Sequence, residues 1–192
     1  FQDLKHIIYL LLKGKVFQEA PVAFKKNKKP FLTSQLNNLE YFFFQKNIRK
    51  KNKELQKIYN KYVEKINHKD NFVYFAAPYQ PEIYSNLAPG NFKDVFLILD
   101  ILTSTLPKGW KIYYKEHPNT FKDLHKGTLI KNKNFYKRIL KFKNVKFISD
   151  KVDTFKLIDD SQAVATVGGT VGWEAIVRDK PALIFGNIWY QA

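Results

Sequence analysis

The sequence predicts an α/β fold, a doubly wound parallel sheet preceded by a helical segment. Two observations support this prediction. From Asn71 onward, short apolar runs alternate with segments of helical periodicity, which is typical of a parallel sheet with helices on both faces. In the last third of the chain, a glycine-rich turn joins the apolar run 163–167 to a helical stretch, as at the binding edge of such sheets.

Five strands are expected, because five short runs are rich in β-branched and aromatic residues: 72–77, 110–115, 145–148, 163–167 and 182–185. Helices are expected between them at residues 92–106, 135–142, 154–161 and 173–178. Pro107 and Gly109 end the first of these helices, and Asp153 is placed to cap the third.

The first 70 residues lack this alternation. Residues 4–12 predict a short helix, and residues 25–30 predict a basic turn. From residue 36 to residue 66, apolar residues recur at helical spacing with lysines between them. This pattern predicts one long amphipathic helix, or two helices broken near Asn47, and the polar residues 68–71 end it. We interpret the segment as a connecting helical region without a catalytic role.

The composition limits the function classes. The chain has 192 residues and a net charge of +16, of which residues 1–70 contribute +10 (16 Lys/Arg, 6 Asp/Glu). Such charge attracts nucleic acid, anionic lipid or an anionic substrate, although solvated lysines explain it equally well. Without cysteine, the chain has no disulfide or thiolate metal site, and its four histidines are not at metal-ligand spacing. No cofactor or metal is expected, and the longest apolar run, residues 7–12, is too short to span a membrane.

Three loops follow strands at the edge where ligands of parallel sheets bind. The first contains Gln80, Pro81 and Glu82, the second is Lys115-Glu-His-Pro118, and the third is the glycine turn after Val167. In a doubly wound sheet these loops can converge on one cleft, where polar side chains and backbone amides would surround a ligand.

The glycine turn is suited to a phosphate. Gly168, Gly169 and Thr170 would bring backbone N–H groups to the positive end of a helix dipole, with hydroxyl groups from Thr166 and Thr170. Glu174, expected on the first helical turn, could accept hydrogen bonds from ribose hydroxyls. The turn lacks the Walker lysine and the usual dinucleotide glycine pattern, and an ordinary tight turn remains the alternative.

Two further side chains could take part in catalysis. His117, biased away from helical backbone by Pro118, could donate to a phosphate oxygen or protonate a leaving phosphate, beside the cationic Lys115. Glu82 could act as a general acid or base, or hold a sugar hydroxyl. The alternatives are a surface histidine in a turn and a solvated carboxylate.

Taken in order, the Gln-Pro-Glu loop, Lys-Glu-His-Pro, Gly-Gly-Thr-Val-Gly-Trp-Glu-Ala and Lys-Pro-Ala-Leu-Ile-Phe-Gly resemble the capsular polysaccharide biosynthesis family. That family resembles GT-B glycosyltransferases, including the bacterial Kdo transferases of capsule assembly. The resemblance covers about residues 71–190. It implies a Rossmann-like, nucleotide-sugar donor-binding domain at residues 71–192, truncated at its C-terminus. Residues 1–70 would be a helical linker or the remnant of an N-terminal acceptor domain.

The resemblance also implies roles for individual residues. His117, with Pro118 and Lys115, would contact the donor phosphate, and Gly168, Gly169, Thr166 and Thr170 would cradle it. Glu174 would hold the ribose, and Gln80 and Glu82 would lie near the transferred sugar. The Kdo and sialyl branches imply a CMP-linked donor, and the acceptor would be a glycan or glycolipid. The lack of cysteine fits a cytoplasmic protein, and the basic helical face could make peripheral contact with the anionic inner membrane.

Other functions remain open on the sequence. A polyol-phosphate transferase or a sugar-nucleotide epimerase could share such a domain. The aromatic residues among lysines between Tyr41 and Tyr62 would also suit a basic nucleic-acid-binding protein, although no recognised nucleic-acid motif is present and no specific nucleic acid is expected. A noncatalytic scaffold with its basic helix on a membrane is a third alternative.

Overall fold

A computed structural model describes residues 38–79, 90–122 and 131–190. The chain divides into two compact units, Phe1–Asn47 and Ile48–Ala192. The described part begins with helix α1 (Asn38–Asn60), followed in the second unit by five strands and four further α-helices. In chain order these are β1 (Phe72–Ala76), α2 (Val95–Thr105), β2 (Lys111–Lys115), α3 (Lys133–Ile139), β3 (Val145–Ile148), α4 (Thr154–Asp160), β4 (Ala163–Thr166), α5 (Thr170–Ile176) and β5 (Ala182–Ile184).

The five strands form one sheet in the order β3-β2-β1-β4-β5, and every neighbouring pair is parallel. β1 lies at the centre, where Tyr74 is opposite Tyr113 of β2 and Val164 of β4. The carboxyl ends of β2, β1 and β4 are therefore adjacent, and the segments that follow these three strands leave from the same edge.

Both faces of the sheet are covered, which explains why the central strand β1 is a continuous apolar run rather than an alternating one. On one face, Val73 and Phe75 pack with residues of α2, α3 and the second half of α1. On the other face, Phe72 and Tyr74 pack with residues of α4 and α5. The predicted α/β fold, with a Rossmann-like parallel sheet and a preceding helix, is confirmed.

The limits of all five strands agree with the prediction to within one residue, but four helices differ. α3 runs from Lys133 to Ile139 instead of from residue 135 to residue 142. α1 is continuous through Asn47 and ends at Asn60, so the alternative of a break at Asn47 is wrong. The predicted helix 92–106 consists of a 3₁₀ turn, Gly90–Lys93, and α2, whose start is capped by Asp94. The last predicted helix begins at Thr170 rather than Trp173.

The cap predicted at Asp153 is present, since its carboxylate accepts a hydrogen bond from the Lys156 amide at 2.7 Å. The predicted helix at 4–12 and the basic turn at 25–30 lie outside the described residues. Within the described ranges, no helix combines the length and the apolar character needed to cross a bilayer.

Candidate functional site

An open cleft of about 610 Å³ lies where the segments after β1, β2 and β4 meet the first turns of α4 and α5. Eight residues predicted as site residues line it: Lys115, His117, Pro118, Thr166, Gly168, Gly169, Thr170 and Glu174. Gln80 and Glu82 lie outside the described residues, so their roles stay predictions. The rule that ligands bind beyond the carboxyl ends of parallel strands thus locates the cleft from sequence.

His117 is held in a defined orientation at the cleft. It precedes a short 3₁₀ helix, Pro118–Phe121, and its ring Nδ1 accepts a hydrogen bond from the Asn119 amide at 3.1 Å. The ring centroid lies 5.5 Å from that of Tyr79. Because Nδ1 is an acceptor, the neutral ring carries its proton on Nε2. His117 is therefore equipped to donate a hydrogen bond through Nε2.

Lys115 lines the same cleft, but its ammonium is engaged by the segment that follows β3. Nζ donates to the Val152 carbonyl at 2.6 Å and to the Thr154 hydroxyl at 2.7 Å. Burial lowers the pKa of the Lys115 ammonium from its usual value of 10.5. Two of the three N–H groups of the Lys115 ammonium are thus used in hydrogen bonds that hold the start of α4. A ligand would bind the same ammonium together with these protein groups.

The lowered pKa gives a test by pH. Between the folded-state pKa of Lys115 and 10.5, the unfolded chain binds more protons than the folded chain, so stability rises with pH across that window. The stability of the wild type relative to Lys115→Met should therefore increase as the pH rises towards 10.5, measured by urea unfolding. A difference in stability that stayed constant with pH would show that burial does not lower the pKa of this ammonium.

The glycine turn is ordered by its own hydrogen bonds. The Thr166 hydroxyl accepts from the Gly169 amide at 3.3 Å, and the Tyr190 hydroxyl donates to the Gly169 carbonyl. Thr166 and the Gly169 amide, both expected to hold phosphate, are thus already paired with each other. Gly172 lies in α5, where a Cβ would come within 2.6 Å of the Tyr190 Oη and 3.1 Å of Thr166 Cγ2. Glycine at 172 permits this close approach.

Glu174 lies one turn further into α5 than predicted, because the helix begins at Thr170 with Gly169 as its cap. The Thr170 hydroxyl donates to Glu174 Oε1 at 3.2 Å, so the two side chains lie on one face of the helix. Glu174 still lines the cleft. A carboxylate at this position can accept hydrogen bonds from hydroxyl groups of a ligand.

The sequence analysis missed a buried carboxylate directly beside His117. The Glu116 side chain is fully buried and accepts from Lys131 Nζ at 2.8 Å and from the Thr120 hydroxyl at 3.0 Å. It also accepts from the hydroxyls of Tyr114 and Tyr136. Glu116 continues the alternation of Ile112 and Tyr114, which was the signal available in the sequence, whereas no pattern marks Lys131 as buried.

Aromatic side chains of the cleft were also missed. Tyr74 of β1, Tyr79 and Phe155 of α4 line it together with the polar residues. Burial raises the pKa of Tyr74, so its hydroxyl stays protonated at neutral pH. The cleft thus has hydroxyl, imidazole and carboxylate groups beside aromatic surface, which suits a polar ligand with an apolar or aromatic part.

A metal is not indicated by the residues described. Within ranges 38–79, 90–122 and 131–190, no group of three or more His, Asp or Glu side chains is arranged to hold a metal ion.

Solved structures with a similar arrangement include two sugar transferases and an epimerase. KpsC of Thermosulfurimonas dismutans, a beta Kdo 2,7 transferase, is 15% identical with a TM-score of 0.48, and 81% of this chain covers 44% of that one. The corresponding beta Kdo 2,4 transferase is also 15% identical, with a TM-score of 0.45 and coverage of 76% and 47%. Methanocaldococcus jannaschii UDP-GlcNAc 2-epimerase is 18% identical, with a TM-score of 0.38 and coverage of 72% and 34%.

The chain therefore spans less than half the length of each of these proteins. No curated protein matches the sequence. The family model described as capsule polysaccharide biosynthesis protein matches residues 17–192, which is most of the chain, and the protein belongs to that family.

Proposed function

We propose that the cleft binds the nucleotide-activated donor of a glycosyltransferase in capsule polysaccharide assembly. One observation supports this above the others: His117, the turn Gly168–Thr170 and Glu174 line one open cleft, although they come from separate parts of the chain. The membership of the capsule polysaccharide biosynthesis family supplies the biological context. A CMP-linked sugar is our first candidate for the donor, on the resemblance to Kdo transferases alone.

In this proposal, the donor phosphate lies between His117 Nε2 and the Thr170 hydroxyl, which turns from Glu174 Oε1 to donate to the phosphate. The neutral His117 ring donates its proton into a hydrogen bond, which stabilises negative charge that develops on the leaving phosphate. The Lys115 ammonium adds positive charge nearby while holding the start of α4. A preorganised donor such as the His117 ring need not reorient when the glycosidic bond breaks, which is its advantage over water.

Glu174 receives the ribose hydroxyls in the same proposal, because it lies one helical turn beyond Thr170 on the same face. Glu82 acts near the transferred sugar. The acceptor is a glycan or glycolipid, and residues 71–192 form the donor-binding domain, with residues 1–70 as a linker or part of an acceptor domain. The net charge of +16 favours anionic ligands and contact with the anionic face of the inner membrane.

A thermal-shift panel with CMP, CDP, UDP, GDP and ADP tests the donor site. We expect one nucleotide to stabilise the chain by about 2.7 kcal/mol at 100 times its Kd, which raises Tm by about 5–10 °C. His117→Ala should weaken the binding of that nucleotide by about 10- to 150-fold, since a hydrogen bond to a charged group contributes about 1.5–3 kcal/mol. Glu174→Ala should weaken its binding as well.

His68→Ala and Glu64→Ala are the matched controls. Both side chains are exposed and have partners outside the cleft: His68 is hydrogen-bonded to Asp160, and Glu64 forms an ion pair with Lys146. They should leave the nucleotide response unchanged. The proposal would be wrong if no nucleotide raised the Tm of a well-folded wild type while the protein bound random oligonucleotides in a salt-sensitive manner. The nucleic-acid-binding alternative would then be favoured.

A further inference from the structure

We infer that Phe155 is the platform on which the base of a bound nucleotide stacks, which makes it a specificity-determining residue of the cleft. The inference rests on the proposed function and extends it from the phosphate and ribose to the base. It concerns a side chain to which neither the motifs nor the family resemblance assigns a role.

The position of Phe155 is the first observation. It lies in the first turn of α4, lines the cleft and is 47% exposed, whereas Leu157 and Ile158 of the same helix are buried in the core. An aromatic ring left half exposed at the wall of a polar cleft offers apolar surface that a flat aromatic ligand would cover. Burial of such apolar surface by a ligand is favourable because it removes that surface from water.

The second observation is that the ring is held in place before any ligand arrives. The Arg178 guanidinium carbon lies 4.5 Å from the centroid of the Phe155 ring. Arg178 is itself fixed, because one of its amino groups donates to both carboxylate oxygens of Asp159, at 2.9 and 3.0 Å. A ring fixed from one side by a stacked cation loses little conformational entropy when a base stacks on it.

The shared lining is the third observation. Thr170 and Glu174, the residues proposed to contact phosphate and ribose, line the same cleft as Phe155. The hydrogen bond between Thr170 and Glu174 places them on one face of α5, about 6 Å apart along the helix. A nucleotide presents phosphate, ribose and base in that order along its length. With phosphate at Thr170 and ribose at Glu174, the base lies beyond the ribose, in the cleft that Phe155 lines.

The experiment uses the full chain and the nucleotide that stabilises it most in the panel, with binding measured by calorimetry. Base stacking on an aromatic side chain contributes about 1–3 kcal/mol, so Phe155→Ala should weaken binding about 5- to 150-fold. Phe155→Tyr, which retains a ring, should restore binding to within about twofold of the wild type. Phe43→Ala, a phenylalanine of α1 that is 62% exposed, is the matched control and should have no effect.

Proton NMR of the ligand separates stacking from other contacts. In the wild-type complex, the ring proton signals of the base should move upfield relative to the ribose signals, and this difference should disappear with Phe155→Leu. Equal binding by wild type and Phe155→Ala, or an upfield shift that survives in Phe155→Leu, would overturn the inference and leave the donor site intact. A wild type that binds no nucleotide would overturn both.

Discussion

Replacing Lys131 by Met is expected to lower the free energy of unfolding by about 3–5 kcal/mol, measured by urea denaturation. Lys131 and Glu116 form an ion pair at 2.8 Å, and both side chains are fully buried. Removal of the ammonium leaves the Glu116 carboxylate without its countercharge in a medium that solvates charge poorly. The remaining donors, the hydroxyls of Thr120, Tyr114 and Tyr136, are neutral and do not compensate for it.

The double variant Glu116→Gln/Lys131→Met tests this reason directly. Because it removes both charges, it should recover a large part of the lost stability, as is common when a buried pair is replaced together. Lys146→Met is the control at a more exposed ion pair, since Lys146 pairs with the half-exposed Glu64. It should lower the free energy of unfolding by less than about 1 kcal/mol. If Lys131→Met were no more harmful than Lys146→Met, the pair would not be buried in solution.

This ion pair also has a consequence for the cleft. Lys131 Nζ donates to the Pro78 carbonyl at 3.1 Å as well as to Glu116, and Pro78 lines the cleft wall after β1. Glu116 precedes His117 and accepts from Thr120 in the 3₁₀ helix that follows it. One buried lysine therefore joins the segments after β1 and β2, so the orientation of His117 depends on the buried pair of Lys131 and Glu116.

The sheet could be predicted because its signal is local. The limits of β1 agree with the prediction to within one residue, since a parallel strand covered on both faces is a continuous apolar run between polar residues. The start of α5 could not be predicted as well. Gly168, Gly169 and Thr170 have the composition of a turn, and Gly172 is a poor helix former, yet Gly169 caps a helix that already contains Thr170. Packing against Tyr190 explains the glycine at 172.

The location of the cleft followed from topology, whereas the partners of its charged groups did not. The carboxyl-edge rule brought eight predicted residues together. By contrast, Lys115 donates to residues 37 and 39 positions away, and Lys131 pairs with a carboxylate 15 positions away. In a chain with 33 Lys and Arg residues, nothing local distinguishes a buried lysine from a solvated one. These contacts join residues far apart in the sequence, so they depend on how the helices and strands pack against each other.

Substitution of Tyr59 is the second change expected to lower the free energy of unfolding strongly, because this residue connects the end of α1 to the edge of the sheet. Its hydroxyl donates to the Ile148 carbonyl at 2.6 Å and accepts from the Glu116 amide at 3.1 Å. Its ring is fully buried among three aromatic rings, those of Phe121, Tyr136 and Phe147, with centroids 5.3 to 5.4 Å away. The side chain thus combines a hydrogen-bond bridge between β2 and β3 with aromatic packing.

Two substitutions separate these contributions. Tyr59→Phe should lower the free energy of unfolding by about 1–3 kcal/mol, because the buried Glu116 amide and Ile148 carbonyl lose a partner while the ring remains. Tyr59→Ala should lower it by about 3–5 kcal/mol, since a cavity is added. Tyr62→Phe, at a half-buried ring that also packs on Phe147, is the control and should change it by less than about 0.5 kcal/mol. A Tyr59→Phe variant as stable as the wild type would mean that the hydroxyl bridge is dispensable. In that case, packing alone would hold α1 against the strands that carry His117.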